Sequence, residues 1–238
     1  CKIAADFLDM TEEQLDFDLK RICFTENEEI NRTAYTQPAM AAVCLAMTKV
    51  LLEQGCKPDV TAGLSLGEYA AIAAAGGFEM TDAVKLVRKR GLLMQHIVPE
   101  GIGGMCAVLG MEAEKIEAVL AGRQDVSIAN YNCPGQIVIT GKLEAIQEAA
   151  QALKAAGARR MVPLNVSGPF HSPLMEPAAV ELKQAIAKIP LHKLQIPFIS
   201  NVTAQGVTDT GAISELLCAG IHSPVRWEQS MRYLIANG

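Results

Sequence analysis

Along the first third of the chain, apolar residues recur at helical rather than strand spacing. Between Thr36 and Gln54, the residues Met40, Val43, Cys44, Met47, Val50 and Leu51 fall on one face, which predicts a long helix ended by Gly55. Pro38 fits that helix because it falls in the first turn, where a missing N–H costs nothing. Ahead of it, "DMTEEQLDF" and "TENEEI" read as short solvated helical pieces with acidic faces. Beyond it, a short strand-like run leads to Ser65, a helix spans Gly67 to Ala75, and Thr81 N-caps a helix that runs to Ile97 before Pro99 and Gly101. Helix, strand, helix, helix points to an α/β layer arrangement.

From Gly103 the periodicity changes. "GMCAVLG" alternates as a strand, "EAEKIEAVLAG" as a helix and "VSIANY" as a strand; "NCPG" is a turn, and "QIVITG", "KLEAIQEAAQALKAAG" and "ARRMVPLNV" follow as strand, helix and strand. The order βαββαβ is the ferredoxin-like split motif. Gly-rich "PEGIGG" and Pro-rich "SGPFHSP" flank it, which marks residues 101–166 as an inserted small subdomain. The α/β pattern resumes with a helix at 176–188, the strand "IPFIS", and helices at 212–219 and 225–237. Residues 1–100 and 167–238 are therefore expected to form one large α/β subdomain.

Composition narrows the function classes. Of 238 residues, 50% are apolar and 20% charged, a globular balance. A net charge of -5 argues against a nucleic-acid binder, which usually carries a basic face. Lys49, Glu53 and Glu68 interrupt the apolar stretches, so no membrane span is expected. The start shows no basic-then-apolar leader, which leads to a cytoplasmic expectation, although a chain opening at Cys1 leaves room for an upstream segment. Cysteines 1, 23, 44, 56, 106, 133 and 218 are odd in number and scattered, with no C-x-x-C pair. They fit neither a disulfide framework nor a zinc site and are expected to be reduced thiols, mostly small core residues.

The sharpest chemical feature is Gly63-Leu64-Ser65-Leu66-Gly67, a serine between two glycines at a strand-to-helix turn. That is the grammar of a nucleophile elbow, in which flanking side chains would collide with the neighbouring strand and helix. The same five residues also suit an inert tight turn. A serine nucleophile needs a base. His96 at a helix end and His192 in "IPLHKLQIP" read as solvent-facing. His171, between Pro169 and Pro173, is the first candidate, with His222 before "SPVRW" the second. No carboxylate stands out as a third triad member, and a backbone carbonyl could orient the imidazole instead. In "RKRG", Arg88 and Lys89 read as solvated, while Arg90 could turn toward the apolar side as a bidentate carboxylate clamp.

Taken together and in this order, "GLSLGEYAA", "LVRKRGLLMQ", "GPFHSPLM" and "SPVRW" resemble the malonyl-CoA:acyl carrier protein transacylases and the related acyltransferase domains of fatty acid and polyketide synthases. "YTQPA", "ANYNCPGQIVITG" and "ISNVTA" extend the resemblance over nearly the whole chain. It implies an α/β-hydrolase-like large subdomain with a ferredoxin-like (βαββαβ) small subdomain inserted. It further implies Ser65 as nucleophile, His171 as base, the Leu66 N–H in the oxyanion hole and Arg90 on the malonyl carboxylate. Gly220 would supply the carbonyl that orients His171, and Gln37, Met94, Asn130 and Phe170 would lie around the substrate, Phe170 leaving little room for an α-methyl branch. The implied reaction passes malonyl from malonyl-CoA to an acyl carrier protein through a malonyl-serine, with no cofactor or metal; a monomer is the default expectation for the chain. Arg88 and Lys89 would contribute a basic docking patch. The family's opening Gly-Gln-Gly segment, whose glutamine completes the oxyanion hole, and its later Gly-Pro-Gly segment have no counterpart here, so a chain trimmed at both ends and weaker in activity is expected. A serine hydrolase and a docking domain without activity are the competing readings.

Overall fold

Helix formation dominates the first 96 residues: α1 (Lys2–Glu12), α2 (Leu19–Phe24), α3 (Thr33–Glu53), α4 (Gly67–Ala74) and α5 (Met80–His96), with β1 (Thr61–Ala62) between α3 and α4. A computed structural model describes all residues from 1 to 238. By contact the chain divides into one unit of Cys1–Gln95, Glu181–Ser200 and Gly206–Glu215 and another of His96–Val180, Asn201–Gln205 and Leu216–Gly238. The 101–166 block lies within the second.

In the first unit the acidic start is not merely solvated. α1 buries Phe7, Leu8 and Thr11, and α2 buries Leu19 and Ile22 behind an Asp18 cap that accepts from the Arg21 N–H at 2.7 Å. α3 departs from expectation in two ways. It begins at Thr33, so Pro38 sits in the second turn and deprives the Ala34 carbonyl of its helical donor. Its buried face is Ala34, Gln37, Ala41, Ala42 and Leu45, whereas Met40 (49%), Met47 (55%) and Leu51 (51%) are exposed. Burial follows the alanine stripe because small side chains let α1 and α4 approach the α3 backbone closely. α3 is also long and apolar enough to cross a membrane by length and composition alone, since Lys49 and Glu53 fall only in its last turns. A core helix passes the same test, and the alanine face of α3 is buried. α5 starts one residue before the expected cap, with the Ala83 N–H bonded to the Glu79 carbonyl at 3.0 Å.

β1 pairs in parallel with β6 (Phe198–Ile199), which pairs antiparallel with β7 (Gly206–Val207). This small sheet matters chiefly because β1 delivers the chain to Ser65 and α4.

The second unit contains β2 (Gly103–Leu109), α6 (Ala113–Leu120), β3 (Val126–Cys133), β4 (Gln136–Lys142), α7 (Leu143–Ala155) and β5 (Arg160–Pro163). Strand order β3-β4-β2-β5, with every pair antiparallel, is the ferredoxin-like arrangement expected from the βαββαβ order. Alternate residues Cys106 and Val108 of β2 and Ile137 and Ile139 of β4 pack with Ile116 of α6 and Leu153 of α7. α8 (Glu176–Ile186), α9 (Ile213–Gly220) and α10 (Trp227–Ala236) complete the chain.

All seven cysteines are free. Contrary to expectation, only Cys106 is buried, while Cys1, Cys44, Cys56 and Cys133 are exposed. Burial pushes the Cys106 and Cys23 thiols up, away from thiolate. No group of three or more His, Cys, Asp or Glu residues is placed to hold a metal ion.

Candidate active site

The turn between β1 and α4 is sterically fixed at one glycine, not two. A Cβ on Gly63 would lie 2.0 Å from the Gly67 carbonyl oxygen and 2.7 Å from the Glu68 nitrogen, so only glycine fits. A Cβ on Gly67 would meet nothing within 4 Å. Ser65 itself takes φ 54°, a left-handed conformation uncommon for a side-chain-bearing residue. Leu66 is the N-cap of α4, so its N–H belongs to the helix end whose donors have no intrahelical partner and whose dipole favours negative charge.

α5 brings Arg90 to this turn. Arg90 is 3% exposed; its Nη2 donates to Ser65 Oγ at 2.9 Å and its Nη1 to Gln37 Oε1 at 2.6 Å. The Gln37 Nε2 in turn donates to Met94 Sδ at 3.4 Å, and the Tyr69 ring centroid lies 5.7 Å from the guanidinium carbon. Desolvation pulls the guanidinium below its ordinary value, opposed by Tyr69 and by the buried Glu68 carboxylate. Arginine remains a cation under that pull. Ser65, Arg90, Gln37 and Met94 thus form one cluster in the first unit.

A second cluster lies in the second unit. His171 is buried and also left-handed, at φ 58°. Its Nδ1 is 2.9 Å from the Gly220 carbonyl oxygen. A carbonyl only accepts, so Nδ1 carries the proton and Nε2 is the basic nitrogen of the neutral ring. The turn around it is held by Ser172 Oγ donating to the Pro169 carbonyl at 2.6 Å and by the Phe170 N–H donating to the Gly168 carbonyl at 3.0 Å. Phe170 and Asn130 are both buried. Asn130 follows a register irregularity in β3, where the Val225 backbone bonds to Ala129 and Tyr131 at 2.8 and 2.9 Å. His222, the alternative base, is half-buried and shares with His171 the lining of a hollow of about 380 Å³. His96 and His192 are exposed.

Arg88 was expected to be solvated and is not. It is 8% exposed, and its Nε and Nη2 each donate to the Asp16 carboxylate at 2.8 Å. Its Nη1 donates to the Ala34 carbonyl at 2.7 Å. These bonds hold the Asp16 carboxyl below the usual carboxylate range against an upward push from desolvation. Arg88 therefore drops out of any exposed basic patch, whereas Lys89 is half-buried and pairs with Glu181 at 3.1 Å. One signal in the sequence did bear on it: Pro38, four residues after Ala34, leaves a carbonyl that needs a donor from elsewhere.

The sequence profile of the family described as "Acyl transferase domain" matches residues 5–238. The chain is 43% identical over 240 residues to the malonyl CoA-acyl carrier protein transacylase of Bacillus subtilis, covering 99% of this chain and 76% of the relative. It is 44% identical over 215 residues to the protein of that name from Salmonella typhimurium, covering 89% of this chain and 70% of the relative. Among solved structures, an acyl carrier protein S-malonyltransferase from Vibrio cholerae superposes with TM-score 0.95 at 39% identity, over 100% of this chain and 79% of that one. A malonyl-transacylase solved in complex with a type II PKS acyl-carrier protein gives TM-score 0.95 at 37% identity, over the same shares.

Proposed function

The chain belongs to the acyl transferase domain family, and on that premise we propose that it transfers malonyl from malonyl-CoA to the pantetheine thiol of an acyl carrier protein through a malonyl-Ser65 ester. The observation that carries this reading is the buried Arg90 fork, with one nitrogen on Ser65 Oγ and the other on Gln37. A cation fixed beside a hydroxyl in a desolvated site suits an acyl group that ends in a carboxylate.

In the first step His171 Nε2 takes the Ser65 proton as Oγ attacks the thioester carbonyl. The Leu66 N–H donates to the developing oxyanion. The C–S bond then breaks, and the imidazolium returns the proton to the departing CoA sulfur. In the second step the carrier thiol gives its proton to His171 and attacks the ester, and Ser65 recovers the proton as the C–O bond breaks. Selectivity follows from the Arg90 fork. Acylation turns the Ser65 hydroxyl into a poorer ester acceptor; malonyl supplies a carboxylate in its place, and acetyl leaves the buried guanidinium underpartnered. Gln37, Met94 and Asn130 line the acyl site in this reading, and the bulk of Phe170 disfavours an α-methyl branch.

The proposal extends to a large α/β-hydrolase-like subdomain of residues 1–100 and 167–238 with residues 101–166 inserted, to a cytoplasmic monomer, and to a reaction that uses no metal or cofactor beyond CoA thioester chemistry. Mass spectrometry after incubation with malonyl-CoA tests the reaction. An ester adduct of about 86 Da is expected on Ser65 and not on Ser65→Ala, discharged by added carrier protein. Free malonate appearing at one rate with or without carrier protein would identify a hydrolase instead.

A further inference from the structure

We infer that Arg88 is a positioning residue for acyl-group selection: it holds the first turn of α3 in the register that brings Gln37 to Arg90. The inference rests on the reading of Arg90 as the carboxylate clamp.

Pro38 leaves the Ala34 carbonyl without its helical donor, and Ala34 is 2% exposed, so water does not replace it. Arg88 Nη1 supplies the bond at 2.7 Å. The Ala34 N–H, in the first turn and so without a partner inside α3, donates to Gln95 Oε1 at 3.1 Å. Between these two contacts sits Gly91, where a Cβ would lie 2.8 Å from the Thr33 oxygen and 3.1 Å from the Ala34 Cα. Positions 88, 91 and 95 form one stripe of α5, and all three grip Thr33–Ala34. The adjacent stripe, Arg90 and Met94, grips Gln37, one turn further along α3. A slip of the α3 first turn along α5 therefore shifts Gln37 against Arg90.

Arg88 is itself fixed for this task. Asp16 occupies its other two donor edges at 2.8 Å, and the Phe17 and Tyr35 rings each lie 4.8 Å from its guanidinium carbon. Those rings meet edge to face, 5.1 Å apart at 85°. A lysine could carry the charge but not the planar fork. Without Arg88 the Ala34 carbonyl loses its donor and Gln37 loses its fixed approach to Arg90, while the Arg90 charge and the Ser65 hydroxyl remain. The loss falls on recognition of the acyl group rather than on the acyl-transfer step.

Steady-state kinetics with malonyl-CoA and acetyl-CoA on Arg88→Ala and Arg88→Lys test this. Expected for both is a KM for malonyl-CoA raised about tenfold, kcat within about threefold, and a malonyl-to-acetyl preference in kcat/KM reduced about tenfold. Adding Pro38→Ala to Arg88→Ala returns an N–H to the Ala34 carbonyl and should recover most of the preference. A lowered Tm with KM and preference unchanged would reduce Arg88 to a purely structural residue and overturn the inference. If Arg88→Ala does not fold, Arg88→Lys decides by the same criteria. The wild type separates this inference from the one beneath it: no malonyl-Ser65 adduct overturns the transfer reading. Guanidinium NMR of Arg90 then still tests the positioning. Nη1 protons, which sit on Gln37, protected in the wild type and unprotected in the Arg88 variant support it; equal protection overturns it.

Discussion

Ser65 and His171 share a backbone conformation that side-chain-bearing residues rarely adopt, φ 54° and φ 58°, yet the two turns are built by different physics. The Ser65 turn is steric. Gly63 lets the chain pass 2.0 Å from where a Cβ would meet the Gly67 oxygen, and the path then flows into α4. The serine hydroxyl accepts a hydrogen bond from Arg90 on α5. The His171 turn is hydrogen-bonded. Pro169 and Pro173 restrict the backbone, Ser172 ties back to the Pro169 carbonyl, and the ring is oriented by the Gly220 carbonyl. A steric turn should fail abruptly when its one permissive residue is filled. A hydrogen-bonded turn should fail by degrees, bond by bond.

The largest expected effects ignore that distinction and set its scale. Ser65→Ala and His171→Ala are each expected to lower kcat/KM for malonyl transfer on the order of 10⁴-fold or more, with unchanged circular dichroism. Residual transfer in His171→Ala above that floor would move the base to His222. Gly63→Ala comes next and tests the steric turn. It should cost about 3 kcal/mol or more in chemical denaturation and remove the malonyl adduct as the elbow deforms. A stable, active Gly63→Ala would show that the turn yields, and the contrast with His171 would collapse.

Ser172→Ala probes the other turn. It leaves the buried Pro169 carbonyl short of a donor and should cost about 1–2 kcal/mol. Because Pro169 lies two residues from His171, kcat/KM should fall about tenfold while KM for malonyl-CoA changes little. A loss as large as that of His171→Ala would mean that this turn, too, fails all at once.

What the sequence disclosed follows the range of the interactions. Residues 103–163 could be read nearly strand by strand because period-2 and period-3.6 stretches alternate there, each set by neighbours close in sequence. The serine turn was visible for the same reason, its two glycines lying two residues either side of Ser65. α3 misled because Met40, Met47 and Leu51 face outward while its alanines and Leu45 face in, a choice made by helices it packs against rather than by its own hydrophobicity. Arg88 was hidden because Asp16 is 72 residues away. The Gly220 carbonyl, 49 residues from His171, came from family resemblance and not from any local pattern.

The smallest expected effect is the most discriminating. Gly63 and Gly67 look equivalent as the two flanks of Ser65, and a purely sequence-based reading assigns both the same steric need. In the structure they differ: a Cβ at 67 meets nothing within 4 Å, and Gly67 opens α4 without a positive φ. Alanine there removes backbone freedom from the unfolded chain and suits a helical residue, so Gly67→Ala should raise stability by about 0.4–1 kcal/mol. Malonyl transfer should stay within about twofold of wild type, since the Leu66 N–H and the α4 terminus are undisturbed. If Gly67→Ala instead loses activity at full stability, the space beside Gly67 is needed by the thioester, and the second glycine serves the substrate rather than the turn.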